Sequence, residues 1–159
     1  DLGLTLHAGE GDGPHSVWRA IALCGAHRIG HGVHLADATD FDGRRIASMD
    51  RLPRFVLDRQ VPLEMCITSN LHTATYAFAE VHPFGAMRDA GFKVSLNTDN
   101  RLMSHVSVTS ENELARDAFA LSLADLGSIT EATVRAGFGP WQERKQLTDA
   151  VIRPAYGLS

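Results

Sequence analysis

The tetrapeptide His7-Ala8-Gly9-Glu10 places an imidazole three residues before a carboxyl group. Imidazole is a metal ligand and a base, and a carboxyl group can give or take a proton. Both sit at the end of the apolar run Leu2-Gly3-Leu4-Thr5-Leu6. The alternating leucines suit a short strand, which the glycines from Gly9 to Gly13 would end. Side chains just beyond the carboxyl end of such a strand face the site crevice of open α/β sheets and (β/α) barrels. Taken alone, the tetrapeptide fits equally well a hydrogen-bonded strand-end histidine followed by a solvated turn glutamate.

Three further strand ends carry the same kind of residue. Arg28-Ile29-Gly30-His31-Gly32 holds a histidine between glycines. Pro62-Leu63-Glu64-Met65-Cys66 leads into Ile67-Thr68-Ser69-Asn70, and Phe92-Lys93-Val94-Ser95-Leu96 leads into Asn97-Thr98-Asp99-Asn100. Each segment follows a stretch with helical character, so strand, polar strand end and helix recur in turn. That is the rhythm of βαβ units on a parallel sheet, and it predicts an α/β fold. Polar, chemically capable residues at every strand end point to a shared site.

The intervening elements can be placed from pattern. Pro14 suits the first turn of a helix running to Cys24, with Val17, Trp18, Ile21 and Leu23 as its apolar stripe and Gly25 at its end. Residues 36–43 read as an aspartate-rich loop, and residues 44–59 as a helix kinked at Pro53. Pro83 to Asp89 predicts another helix, stopped by Gly91. Ser110 and Glu113 have the spacing of a capping box for a long helix reaching Leu126. Two shorter helices follow, at 130–136 and 140–152.

The 159 residues are 44% hydrophobic and 21% charged, ordinary globular usage with enough apolar content for a sizeable core. Net charge is −4, which argues against a nucleic-acid backbone as partner. No apolar run approaches the roughly 20 residues of a membrane span, and nothing reads as a signal peptide. Cys24 and Cys66 form no CxxC pair and suggest no disulfide framework, so a reducing cytoplasm is the expected compartment.

In the order HAGE, RIGHG, LEMCITSN and SLNTDNRLMS, the four strand ends resemble the adenosine deaminases, the bacterial ones in particular. The likeness runs over almost the whole chain. It implies an eight-stranded (β/α) barrel of the TIM type with one Zn2+, of which this chain matches the C-terminal half, strands five to eight. Two further zinc ligands of the family, an HxH pair on its first strand, have no counterpart among the eight histidines here. A complete barrel needs about 250 residues. The expectation is therefore that residues 1–159 are the C-terminal part of a single barrel domain whose N-terminal half is missing and would be its partner.

The resemblance also implies roles. His7 and Asp99 match metal ligands. They would share one zinc with the absent pair, and that ion lowers the pKa of its water from 15.7 to about 7. Glu10 matches the proton donor that makes C6 of adenine electrophilic by protonating N1. His31 matches the histidine that orients the attacking water, helps to deprotonate it and stabilises charge in the adduct. Asn100 stands where many relatives carry an aspartate that bonds purine N7, and its NH2 group can still donate there. Without the other motifs, Asp99 would read as a turn or capping aspartate.

Adenosine, and 2′-deoxyadenosine with it, is the expected substrate, with inosine and ammonia as products. Adenine and AMP deaminases of the same superfamily are the nearest alternatives, and a non-catalytic half-barrel is the alternative from another class. Ser69 and Asn70 lie near the expected pocket with no assigned part. Cys66 reads as a buried strand residue. His15, His27, His34, His72, His82 and His105 read as solvated or capping.

Overall fold

The computed structural model describes residues 2–158. Strand β1 (Thr5–Ala8) leads through a glycine-rich turn into helix α1 (Pro14–Ala22). Pro14 opens that helix where a missing N–H costs nothing. Strand β2 (Arg28–His31) follows, then a 3-10 turn (Val33–Ala38) and an antiparallel hairpin, β3 (Thr39–Asp42) with β4 (Arg45–Met49). Next come α2 (Arg51–Asp58), β5 (Leu63–Met65), α3 (Ile67–His72), α4 (Phe84–Asp89) and β6 (Val94–Leu96). The chain closes with helices α5 (Arg101–Ser104), α6 (Val108–Phe119), α7 (Leu123–Ala136) and α8 (Trp141–Leu147). A π-helical turn (Thr148–Ile152) then carries it into α9 (Arg153–Tyr156).

The strands β1, β2, β5 and β6 form one parallel sheet in that order, with His7 beside Gly30, Gly30 beside Glu64 and Glu64 beside Ser95. This is the α/β architecture expected from the sequence, a parallel part of a (β/α) barrel. Side chains alternate across the sheet. Ile29, Leu63, Met65, Val94 and Leu96 lie in one buried core with Val17 of α1, Val56 of α2, Phe84 and Met87 of α4 and Ile129 of α7. A polar layer ties three strands together at their amino-terminal halves. Glu64 accepts from the Thr5 hydroxyl at 2.7 Å and pairs with Arg28 at 2.8 Å, and the guanidinium of Arg28 stacks 3.8 Å from the Phe138 ring centre.

Two local expectations are corrected. The segment read as loop and kinked helix is the β3–β4 hairpin followed by a shorter helix. Gly43-Arg44 forms the tight two-residue turn between paired Asp42 and Arg45, with Gly43 in the left-handed region at φ +62°. Phe41 pairs with Ile46, and both pack against the core. Pro53 makes no kink because it lies in the first turn of α2, where backbone N–H groups have no intrahelical acceptor.

The long helix expected to begin at a Ser110–Glu113 box is two helices. The box is built instead by Ser107 and Ser110, and a second one by Ser122 and Asp125 opens α7. Between them Ala120 turns left-handed at φ +52°, without a glycine to mark the break.

Candidate active site

The strand ends converge at the carboxyl edge of the sheet. His7 is the third residue of β1, and Gly9, at φ +67°, turns the chain so that Glu10 comes back over the strand ends. Gly30 leaves the space beside His7 open, since a Cβ there would sit 3.3 Å from the His7 Cα. His31 ends β2 at φ +64° and Asp99 follows β6 at φ +52°. Non-glycine residues in the left-handed region cost on the order of 1 kcal/mol or more, and they persist where surrounding contacts hold them, often at functional sites.

The result is a cluster of four titratable side chains. His7 Nε2 lies 3.8 Å from Asp99 Oδ1, and His31 Nε2 lies 3.3 Å from Glu10 Oε2. Donor atoms of His7, His31 and Asp99 all fall within 4.8 Å of one another. The environments differ sharply: the His7 side chain is 74% exposed, and that of His31 is 1% exposed. Burial pushes the His31 imidazole below its ordinary value, against the pull of the Glu10 and Asp99 carboxylates.

Side chains from elsewhere hold this cluster. Ser69 donates to Asp99 Oδ2 at 2.7 Å, which leaves Oδ1 toward His7. Asn70 Nδ2 donates to Glu10 Oε1 at 2.8 Å and approaches His31 Nδ1 at 3.2 Å, while its Oδ1 meets His82 Nε2 at 3.0 Å. His82 is buried, and burial lowers its pKa to about 4. The His34 ring bridges the Glu10 carbonyl at 2.6 Å and Asp37 at 2.7 Å, steadying the loop that carries Glu10. Glu111, buried on α6, accepts from the N–H and the hydroxyl of Thr68, and so anchors the amino end of α3, the helix that carries Ser69 and Asn70.

The pattern that decides the kinship is spread along the whole chain: the family model described as adenosine deaminase matches residues 1–154. The chain belongs to the adenosine deaminase family. Adenosine deaminase 1 of Streptomyces coelicolor is 40% identical over 153 residues, 96% of this chain and 38% of that protein. The chain thus spans about two fifths of the length of the curated relatives it matches. Among solved structures, the adenine deaminase from Arthrobacter aurescens superposes with a TM-score of 0.84 at 22% identity, covering 97% of this chain and 44% of that one. An amidohydrolase from Burkholderia ambifaria with bound Zn gives 0.80 at 21%, covering 99% and 41%. At these identities both show the fold.

The donor set fits the zinc that the family implies. Zinc takes imidazole and carboxylate ligands at about 2.0–2.2 Å, so two atoms sharing one ion lie within about 4.4 Å of each other. His7 Nε2 and Asp99 Oδ1 meet that limit. Both ring nitrogens of His31 face other partners, Asn70 and Glu10, which sets it beside the His7–Asp99 pair as a hydrogen-bonding group.

Asn100 lies apart from the Glu10–His31 network. Its Oδ1 accepts from the Met103 N–H and caps α5, an engagement that uses the oxygen and not the NH2 group. Cys66 is buried and its thiol pushed far up by burial, as suits a packing residue.

Of the histidines expected to be solvated or capping, His82 and His34 are instead wired to the site. His82 carries only a weak local signal, the following Pro83. Nothing near Glu111 in sequence points to Thr68, because that contact joins residues 43 apart.

Proposed function

We propose that this chain carries the catalytic edge of a zinc-dependent hydrolase that converts adenosine and 2′-deoxyadenosine, with water, to inosine or deoxyinosine and ammonia. The observation that carries the reading is the convergence of His7, Glu10, His31 and Asp99 from three strand ends, in a chain 40% identical to an adenosine deaminase. His7 and Asp99 would hold the ion, with further ligands from the part of the barrel outside this chain. When bound, zinc would supply hydroxide at neutral pH by lowering the pKa of water from 15.7 to about 7.

The protein groups then divide the remaining work. Glu10, on a loop steadied by His34 and Asn70, would give a proton to N1 of the purine, which draws electrons from C6 and opens it to attack. The C–O bond forms at C6, the hydrogen of the added hydroxyl passes to the amino nitrogen, and ammonia leaves as the C–N bond breaks and the C6 carbonyl forms. His31 lies beside Glu10 on the same edge, where it orients the attacking oxygen and offsets charge as C6 becomes tetrahedral. Asn100 would present its NH2 group to N7.

The test is a parallel assay of the full-length protein on adenosine, adenine and AMP, following loss of the adenine absorbance. Adenosine should be turned over with the highest kcat/KM. A preference for adenine or AMP would overturn the substrate assignment and leave the deamination chemistry in place.

A further inference from the structure

The hydrogen bonds behind His31 run in one direction, and a backbone amide sets it. The Phe84 N–H donates to Nδ1 of buried His82 at 3.1 Å. A backbone N–H can only donate, so this ring nitrogen is bare and the ring proton of His82 sits on Nε2. That N–H points to Oδ1 of Asn70, 3.0 Å away, which can only accept. The amide is thereby oriented, and its NH2 group faces Glu10 Oε1 and His31 Nδ1 together. The reversed amide would set oxygen against the Glu10 carboxylate and NH2 against the His82 N–H. Because an amide nitrogen donates and does not accept, His31 takes the bond at Nδ1 and keeps its own proton on Nε2, on the side of the Glu10 carboxylate 3.3 Å away.

We propose that Asn70 and His82 are positioning residues that lock His31 as the Nε2–H tautomer, so that it meets the attacking oxygen as a hydrogen-bond donor and not as a base. His82 acts on His31 only through Asn70. The relay cannot run backwards, since its far end is a backbone amide whose proton stays on nitrogen. For His31 to take up a proton at Nε2 it would first have to lose the one already there. Its part is therefore to steady the oxygen as charge builds on the adduct. The proposal rests on the deaminase reading for the identity of that oxygen, and on hydrogen-bond polarity alone for the tautomer.

Full-length protein labelled with 15N-histidine provides the test, because long-range 1H–15N correlations show which ring nitrogen carries the proton. At neutral pH, His31 and His82 should both be protonated on Nε2 and bare on Nδ1, with the His31 signals assigned by their loss in His31→Gln. His82→Leu should move the His31 signals away from the pure Nε2–H pattern and lower kcat roughly 10- to 100-fold with little change in KM, the usual scale for losing an outer hydrogen-bond partner. His82→Gln, whose amide can donate to Asn70, should restore both.

A wild-type His31 protonated on Nδ1 overturns the proposal, whatever the variants do. So does a folded His82→Leu protein with the tautomer and kcat of the wild type. The spectra need no substrate, so a wrong tautomer refutes the relay while purine turnover stands. Failure to deaminate any adenine compound refutes the functional reading and leaves the spectra to be judged on their own.

Discussion

At the residue scale, two kinds of group share a few ångströms, and they should fail differently when removed. Glu10 lies 3.3 Å from His31 and accepts from Asn70, while His7 and Asp99 face each other on the other side of the cluster. Glu10→Gln keeps the shape of the side chain and should leave metal content unchanged. It should lower kcat by roughly 10²-fold or more, since general acid catalysis contributes typically 10²–10⁴. His7→Ala and Asp99→Ala remove the two atoms placed to share an ion, so they should reduce bound zinc itself. Metal stoichiometry measured beside turnover in the full-length protein separates the two outcomes, and full activity in the Glu10 variant would take Glu10 out of the mechanism.

At the element scale, the site depends on a short helix that cannot hold itself. Helix α3 has six residues, too few to be stable on its own, yet it carries Ser69 for Asp99 and Asn70 for Glu10 and His31. Its amino end is fixed by Glu111, which reaches across from α6 to the N–H and hydroxyl of Thr68. Burial raises the pKa of that carboxyl, and the Thr68 bonds act against the shift. Glu111→Ala leaves two donors of half-buried Thr68 without their acceptor, at a cost of up to about 1–3 kcal/mol for each group left unsatisfied. Urea denaturation of the full-length variant should show a lower midpoint with unchanged slope, and kcat should fall although Glu111 touches none of the four clustered residues. An unchanged midpoint would mean that the anchor carries no stability.

At the scale of the whole molecule, the sheet ends in two open edges, β1 and β6. Parallel strands are normally buried on both sides, and free edges recruit other chains. His7 lies on the β1 edge, largely exposed, and Leu2, Trp18 and Leu23 are also exposed. Residues 1–159 alone should therefore bind zinc weakly, through two protein ligands, and should be inactive and prone to associate. Sizing chromatography and an adenosine assay with added zinc test this. Turnover at an ordinary enzymatic rate, about 1–10³ s⁻¹, would show residues 1–159 to be sufficient and the ligand assignment wrong.

The sequence alone determined the parallel α/β fold and the four polar strand ends that meet at one edge, because strand periodicity and glycine punctuation are local. It named His7, Glu10, His31 and Asp99, which the fold then brings together. It misread the β3–β4 hairpin and the break at Ala120, where tertiary packing and a left-handed residue without glycine override local preference. What only the tertiary structure decided is the wiring. Asn70 reaches Glu10 across 60 positions and His31 across 39, and Glu111 reaches Thr68 across 43. A hydrogen bond between distant residues leaves no periodic trace in the chain, and its polarity depends on which atom faces which. The backbone amide of Phe84 that orients His82, and through Asn70 the proton of His31, becomes visible only once the strands are side by side.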